Sequence, residues 1–230
     1  MRDFISSSAY FGLALSVGAY ILGSILRRRF NYAVFNPLLL AVVLIISLLS
    51  LCGIPYKSYD HGAKYLSYFL TPATVCLALP LYRQRGLLKE YAAAILCGIA
   101  AGVAASAASI FVIARCWGLS RTVYVTLLPK SITTAIGMGV SAEAGGIVTI
   151  TVVSIIATGI LGNIVAEPVM KIFRITDPVA KGLAIGASAH AIGTVKALEM
   201  GEVEGAMSSL AVAVAGLATV LAVPLAAGLY

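Results

Sequence analysis

Charge is what this chain lacks most. Of 230 residues only 11% are Asp, Glu, Lys or Arg and 60% are hydrophobic, with mean hydropathy +1.01. Soluble domains carry roughly 25% charge, so an ordinary soluble fold is excluded and an all-α integral membrane protein is expected. Acidic residues are the scarcer sign, 9 against 16 basic ones, for a net charge of +7. Because the basic residues sit singly or in small groups between apolar spans, they read as juxtamembrane anchors rather than a nucleic-acid surface. The four cysteines, Cys52, Cys76, Cys97 and Cys116, have no C-x-x-C spacing, so neither a disulfide framework nor a metal site is implied. Also absent are G-x-x-x-x-G-K-[ST], H-E-x-x-H and a nucleophile elbow, so ATP-driven transport by this chain, cofactor use and standard hydrolysis lack support. No carboxylate falls at an obvious midplane position. Glu167 precedes Pro168 at the end of a span, and Glu202 and Glu204 fall in a polar link, so the usual acidic proton relay is missing.

Five long apolar spans are present, at residues 4–26, 37–51, 92–114, 147–166 and 206–229, most near the ~20 residues that a bilayer core needs. The first is too long for a signal-peptide core and is followed by Arg27-Arg28-Arg29, so it is expected to remain as a helix with its amino terminus outside. Residues 65–82 form a sixth, broken span that ends at Arg83-Gln84-Arg85. Segments 121–143 and 178–200 either cross or dip in and return. If both return, Arg27, Arg28, Arg29, Arg83, Arg85, Lys89, Lys171, Arg174, Lys181 and Lys196 are cytoplasmic, against Arg2, Lys57, Lys64, Arg115 and Arg121 outside. If both cross, Lys171, Arg174 and Lys181 move outside and the bias reverses, against the positive-inside tendency. The expectation is therefore six crossings plus two re-entrant hairpins of opposed entry, with both termini outside. Residues 1–60 would form scaffold or dimerisation helices, and 61–230 a transport-like unit with a possible inverted repeat.

Three interruptions place polar groups where lipid cannot satisfy them: Thr71-Pro72-Ala73-Thr74, Pro129-Lys130-Ser131-Ile132-Thr133-Thr134, and Gly186-Ala187-Ser188-Ala189-His190-Ala191-Ile192-Gly193-Thr194. Lys130 is the strongest candidate. A lysine at mid-membrane costs about 2.5–3.5 kcal/mol on insertion scales, which an anionic substrate would offset; a lysine snorkelling near the interface is the alternative. Pro129 would break the helix there, and Ser131, Thr133 and Thr134 would hydrogen-bond the substrate. His190, flanked by Ser188 and Thr194 and by the break residues Gly186 and Gly193, which allow close backbone approach or positive φ, reads either as a ligand or proton carrier or as a histidine satisfied by a neighbouring helix. Pro72 would free carbonyls, leaving Thr71 and Thr74 to line a path or to bond back to their own helix. The Gly98, Gly102 and Ser106 face reads as close helix packing.

At these residues, and at Gly201-Glu202-Val203-Glu204-Gly205-Ala206-Met207-Ser208, the chain resembles the LrgB/CidB family over essentially its whole length. The resemblance implies a bacterial cytoplasmic (inner) membrane protein, commonly paired with a smaller LrgA/CidA-type membrane partner. It also implies two competing roles. One is holin- or antiholin-like control of murein hydrolase activity and lysis; the other is transport of small carboxylates such as pyruvate, glycolate or glycerate. The costly breaks favour an organic-anion transporter or facilitator, expected to form a homo-oligomer, in which Lys130 is the countercharge and Ser131, Thr133, Thr134, Thr71, Thr74, Ser188, His190 and Thr194 are hydrogen-bond partners.

Overall fold

The computed structural model describes residues 10–30, 35–69, 72, 75, 76 and 78–230, and among them every regular element is helical. The chain forms two compact units, Met1–Cys76 and Leu77–Tyr230.

The first unit contains α1 (Phe11–Phe30), α2 (Pro37–Cys52), α3 (Tyr56–Ala63) and a 3₁₀ segment, Lys64–Phe69. Arg27, Arg28 and Arg29 close the last turn of α1, where positive charge complements the helix dipole. Asn36 Oδ1 accepts from the amides of Leu38 (2.9 Å) and Leu39 (3.2 Å), starting α2 with proline at its first position. Gly53, at φ 62°, ends it. The sixth span expected at 65–82 is not one α-helix among the described residues, because its start is the 3₁₀ segment and its end a short separate helix. Thr71 and Thr74 lie outside the described residues; Pro72 is exposed.

The second unit comprises α4 (Ala78–Arg83), α5 (Arg85–Glu90), α6 (Ala92–Trp117), α7 (Arg121–Leu127), α8 (Thr134–Glu143), α9 (Val148–Ile172), α10 (Pro178–Met200) and α11 (Glu202–Ala227). Of the described helices, α1, α6, α9 and α11 are long and apolar enough to cross a membrane.

Both ambiguous segments fold back. Between α7 and α8 the chain turns at 128–133, where Pro129 has no amide to donate and Lys130 N bonds Leu127 O at 3.1 Å. The Thr151 hydroxyl lies 2.9 Å from Thr126 O and 2.6 Å from Ser141 Oγ, so α7 and α8 lie side by side. A continuous helix would hold residues 126 and 141 about 22 Å apart. In α10 the break is at His190 (φ 42°, ψ −145°). Residues before it run parallel to α11, with Gly182 on Met207 and Gly186 on Ser208 and Ala211; residues after it run antiparallel, with Thr194 on Ser208 and Leu198 on Gly205. Gly186 and Gly193, expected at the break to allow close backbone approach or positive φ, lie within the two arms on either side of His190, where they allow close approach and the positive φ falls to His190 itself.

The 25-residue α9, about 37 Å long, orders the unit. Its start, at Ile147 and Thr151, meets α7 and α8, while Ala166 and Met170 near its end pack with Ile185 and Ala197 from both arms of α10. The hairpin bases are therefore at opposite ends of α9, and their tips approach its middle, where a Cβ on Gly137 would meet Ile155 and His190 Nε2 lies 3.0 Å from Ile155 O. Helix α11 starts beside the second hairpin's base and ends beside the first's, where the buried Tyr124 hydroxyl donates to Ala226 O at 3.0 Å. A hairpin followed by a long helix thus occurs twice, in opposite directions. Tyr230 stacks on Tyr124 at 4.7 Å, and its hydroxyl donates to Leu119 O and Ala114 O, tying the ends of α6 and α11 to the first hairpin.

Candidate functional site

A cavity of about 1030 Å³ runs along α6, α9 and the first arm of α10, from Tyr91 and Asp177 at the second hairpin's base to Lys130 and Ser131 at the first hairpin's tip. Its α6 wall is the Gly98, Gly102 and Ser106 face. That face does not pack tightly, contrary to expectation: a Cβ on Gly98 would meet only Leu183 Cδ1 at 4.0 Å, and one on Gly102 only Ala187 Cβ at 3.4 Å. Small residues at four-residue spacing make room for a helix or for a cavity equally well, so spacing alone did not separate the two.

Lys130 is half-buried where the hairpin turns. Its ammonium donates to Ser131 Oγ at 3.1 Å and to Ser106 Oγ at 3.4 Å, and the two hydroxyls are 3.2 Å apart. The ion pairs among the described residues join Arg83 to Glu202 and Lys196 to Glu167 and Glu199, so none of them neutralises Lys130. Two serine dipoles and an open cavity are its surroundings, an arrangement that an anion in the cavity would complete. Both returning arms, α8 from Thr134 and residues 191–200 of α10, begin at this central level, where helix N-termini favour negative charge.

The remaining candidates divide by location. Ser188 lines the cavity and donates backwards to Ala184 O at 2.6 Å, leaving oxygen lone pairs to accept from a ligand. His190 is 3% exposed and outside the cavity lining. Since Ile155 O can only accept, His190 Nε2 carries the proton of their hydrogen bond, and the ring seats the second hairpin's tip on α9. Gly159 makes room for that ring: a Cβ there would come 2.8 Å from Cε1 and Nε2. Thr194 is fully buried; its hydroxyl lies 3.1 Å from His190 O and 2.8 Å from Ser208 Oγ, joining the returning arm to α11. Thr133 and Thr134 are half-buried at the start of α8 and do not line the cavity. Sequence reading missed Tyr91, Asp177 and Ser109 as lining residues, because each falls next to a helix end or in an apolar run without a break. It also missed Asn163, whose amide donates to Ile192 O at 3.1 Å beside the second tip and was readable as a polar group within an apolar span.

Opposed hairpins packed among long apolar helices define an all-helical, multi-pass membrane protein with a largely apolar cavity that carries a few polar groups, Lys130 and Ser131 among them. The sequence matches the LrgB-like family over residues 16–229. It is 38% identical over 218 residues to the antiholin-like protein LrgB of Bacillus subtilis (strain 168), with 94% of each chain covered. Antiholin-like proteins LrgB of Bacillus cereus (strain B4264) and Bacillus anthracis (strain CDC 684 / NRRL 3495) are each 39% identical over 217 residues, again covering 94% of each chain. The chain belongs to the LrgB-like family. No solved structure matches it.

Proposed function

We propose that this chain is an antiholin-like membrane protein whose molecular activity is to pass a small organic anion through the cavity at Lys130. The name of its relatives favours control of lysis as the physiological description and carries no substrate. The observation that carries the molecular reading is an ammonium held by two serines, without a carboxylate partner among the described residues, where two opposed hairpins meet. A lesion-forming holin needs only helices that assemble and open; a built cation site is more than such a hole requires. Pyruvate, glycolate and glycerate are substrates of the right charge and size, and movement of such metabolites would alter murein hydrolase activity and lysis indirectly. An LrgA/CidA-type partner and self-association belong to this reading.

The test uses the full chain in proteoliposomes, with and without the LrgA/CidA-type partner. Labelled carboxylate should enter saturably while a large dye stays trapped, and Gly102→Leu, which fills the α6 wall, should slow uptake about tenfold, the cost of ~1.4 kcal/mol of lost access or binding. Dye and carboxylate leaking alike would favour the direct holin-type lesion, and wild-type uptake by Gly102→Leu would remove this cavity from the path. Cells without the chain should also change in murein hydrolase activity and lysis rate; unchanged values would sink the antiholin-like description.

The proposed orientation follows from charge. Lys171, Arg174, Lys181 and Lys196 gather at the second hairpin's base, against Arg115 and Arg121 at the first, so the positive-inside tendency puts the second base in the cytoplasm. The same tendency at Arg27, Arg28 and Arg29 leaves the amino terminus outside, and Tyr230 beside the first hairpin's base is outside as well. The cavity then opens inward at Tyr91 and Asp177. Single cysteines at positions 171 and 174 should resist an impermeant thiol reagent in intact cells and react once the membrane is opened; labelling of intact cells would reverse the orientation.

A further inference from the structure

A second hollow, of about 500 Å³, lies at the base of the second hairpin and shares only the neighbourhood of α9 and α10 with the central cavity. Three cations line it from three consecutive pieces of chain: Lys171 in the last turn of α9, Arg174 in the turn that follows and Lys181 in the first turn of α10. The turn that gathers them is an unusual one. Arg174 adopts φ 53°, in the left-handed region that non-glycine residues seldom occupy, while Ile175 N closes back onto Met170 O at 2.9 Å.

Glu167 is the one carboxylate among the lining residues, and its Oε1 lies 2.6 Å from Lys196 Nζ, which also binds Glu199. None of the ion pairs among the described residues involves Lys171, Arg174 or Lys181. Three like charges around one hollow repel each other unless an anion sits among them, and an oxyanion with several acceptor oxygens can engage an arginine fork and two ammonium groups at once. Beside them Ile172 and Phe173 are 74% and 70% exposed, an apolar pair at a helix end next to cations. Such a pair suits an acyl chain whose headgroup lies among the cations.

We propose that this hollow binds the phosphate headgroup of an anionic phospholipid. Basic pockets between helices at the cytoplasmic side of membrane proteins are suited to such headgroups. The inference does not depend on the anion reading of the Lys130 cavity.

The experiment is native mass spectrometry of the full chain in detergent, titrated with phosphatidylglycerol or with phosphatidylcholine of the same acyl chains. Phosphatidylglycerol should bind with saturable, near one-to-one stoichiometry at concentrations where phosphatidylcholine does not. Each of Lys171→Gln, Arg174→Gln and Lys181→Gln should weaken it about fivefold, and the triple variant on the order of a hundredfold. Arg115→Gln and Arg121→Gln, at the opposite end, should leave it unchanged. The single variants keep the test readable where the triple one fails to fold, and the wild-type comparison needs no variant. Equal binding of the two lipids by the wild-type chain, or equal losses from the Arg115 and Arg121 variants, would overturn the site. Millimolar inorganic phosphate that displaces the lipid completely and binds as tightly by itself would make the ligand a free oxyanion and overturn the lipid assignment.

Discussion

Lys130→Ala should reduce saturable uptake of a small carboxylate by at least about thirtyfold while leaving the amount of folded protein in the membrane unchanged. Truncating one partner of a desolvated charge pair costs about 2–5 kcal/mol, and the lower end of that range is already thirtyfold. The stability side runs the other way. The ammonium contacts only Ser131 and Ser106 among the polar groups described, so removing it leaves two hydroxyls that still face each other at 3.2 Å and breaks no ion pair. A lysine deep in a membrane segment disfavours insertion by about 2.5–3.5 kcal/mol, so alanine should insert at least as well. Loss of uptake together with loss of protein would therefore speak against the assignment, as would wild-type uptake by the alanine variant. Lys130→Arg supplies the control for charge: it keeps the cation but replaces a compact ammonium by a planar fork, and should retain part of the uptake. Uptake measured against substrate concentration separates a binding loss from a general slowing, since an unmatched charge should appear first in the half-saturation value.

What the sequence makes legible follows from what bilayers forbid. Long apolar runs marked α1, α6, α9 and α11, because satisfying the backbone in lipid leaves a helix as the local solution. The positive-inside count chose returning hairpins over crossing helices, and Thr151 bridging Thr126 and Ser141 is what that choice looks like in atoms. Finer assignments failed where one composition serves two geometries. Glycines at 186 and 193 suited either positive φ at the break or close backbone approach, and they serve the second: the chain breaks at His190, because the glycines are needed where arms touch neighbouring groups while the histidine can anchor its strained turn to Ile155 O. Thr194 looked like a ligand, and it is a buried link between the returning arm and α11. Hydroxyls within a membrane serve solutes and neighbouring helices with the same chemistry. Only the partner's position separates the two, and that position is a tertiary fact.

The opposed hairpins also explain why so few of the candidate residues reach the cavity. A tip that must stop at the centre needs fixing there, and His190 and Thr194 are spent on fixing: one holds α9 and the other α11, from adjacent turns of the same arm. The first tip, by contrast, leaves Lys130 and Ser131 facing open space. One hairpin supplies the charge, held by Ser131 and by Ser106 of α6, while the tip of the other is fixed to α9 and α11. The second hairpin and α11 are packed through Gly182 and Gly186 with no slack.

The absence of slack gives the second large effect. Gly186→Val should lower the thermal midpoint of the detergent-solubilised protein by about 5–10 °C and cut the recovery of monodisperse material, because a Cβ at this position meets rigid groups. It would run into Ser208 O and lie 2.8 Å from both Ser208 Cα and Ala211 Cβ. A backbone carbonyl, a Cα and an alanine methyl cannot rotate away, so α10 and α11 must separate, and the overpacking penalty of about 1–3 kcal/mol is spread over the longest helix contact in the unit. Valine's second methyl makes the shift larger than alanine's would be. The comparison is Gly98→Ala, on the cavity wall, where the nearest atom to the new Cβ is Leu183 Cδ1 at 4.0 Å and replacing a helical glycine should gain about 0.5–1 kcal/mol. Thermal unfolding of the two variants followed by size exclusion should therefore move in opposite directions. Equal midpoints would mean that the first arm of the second hairpin is not seated on α11 through Gly186 as described.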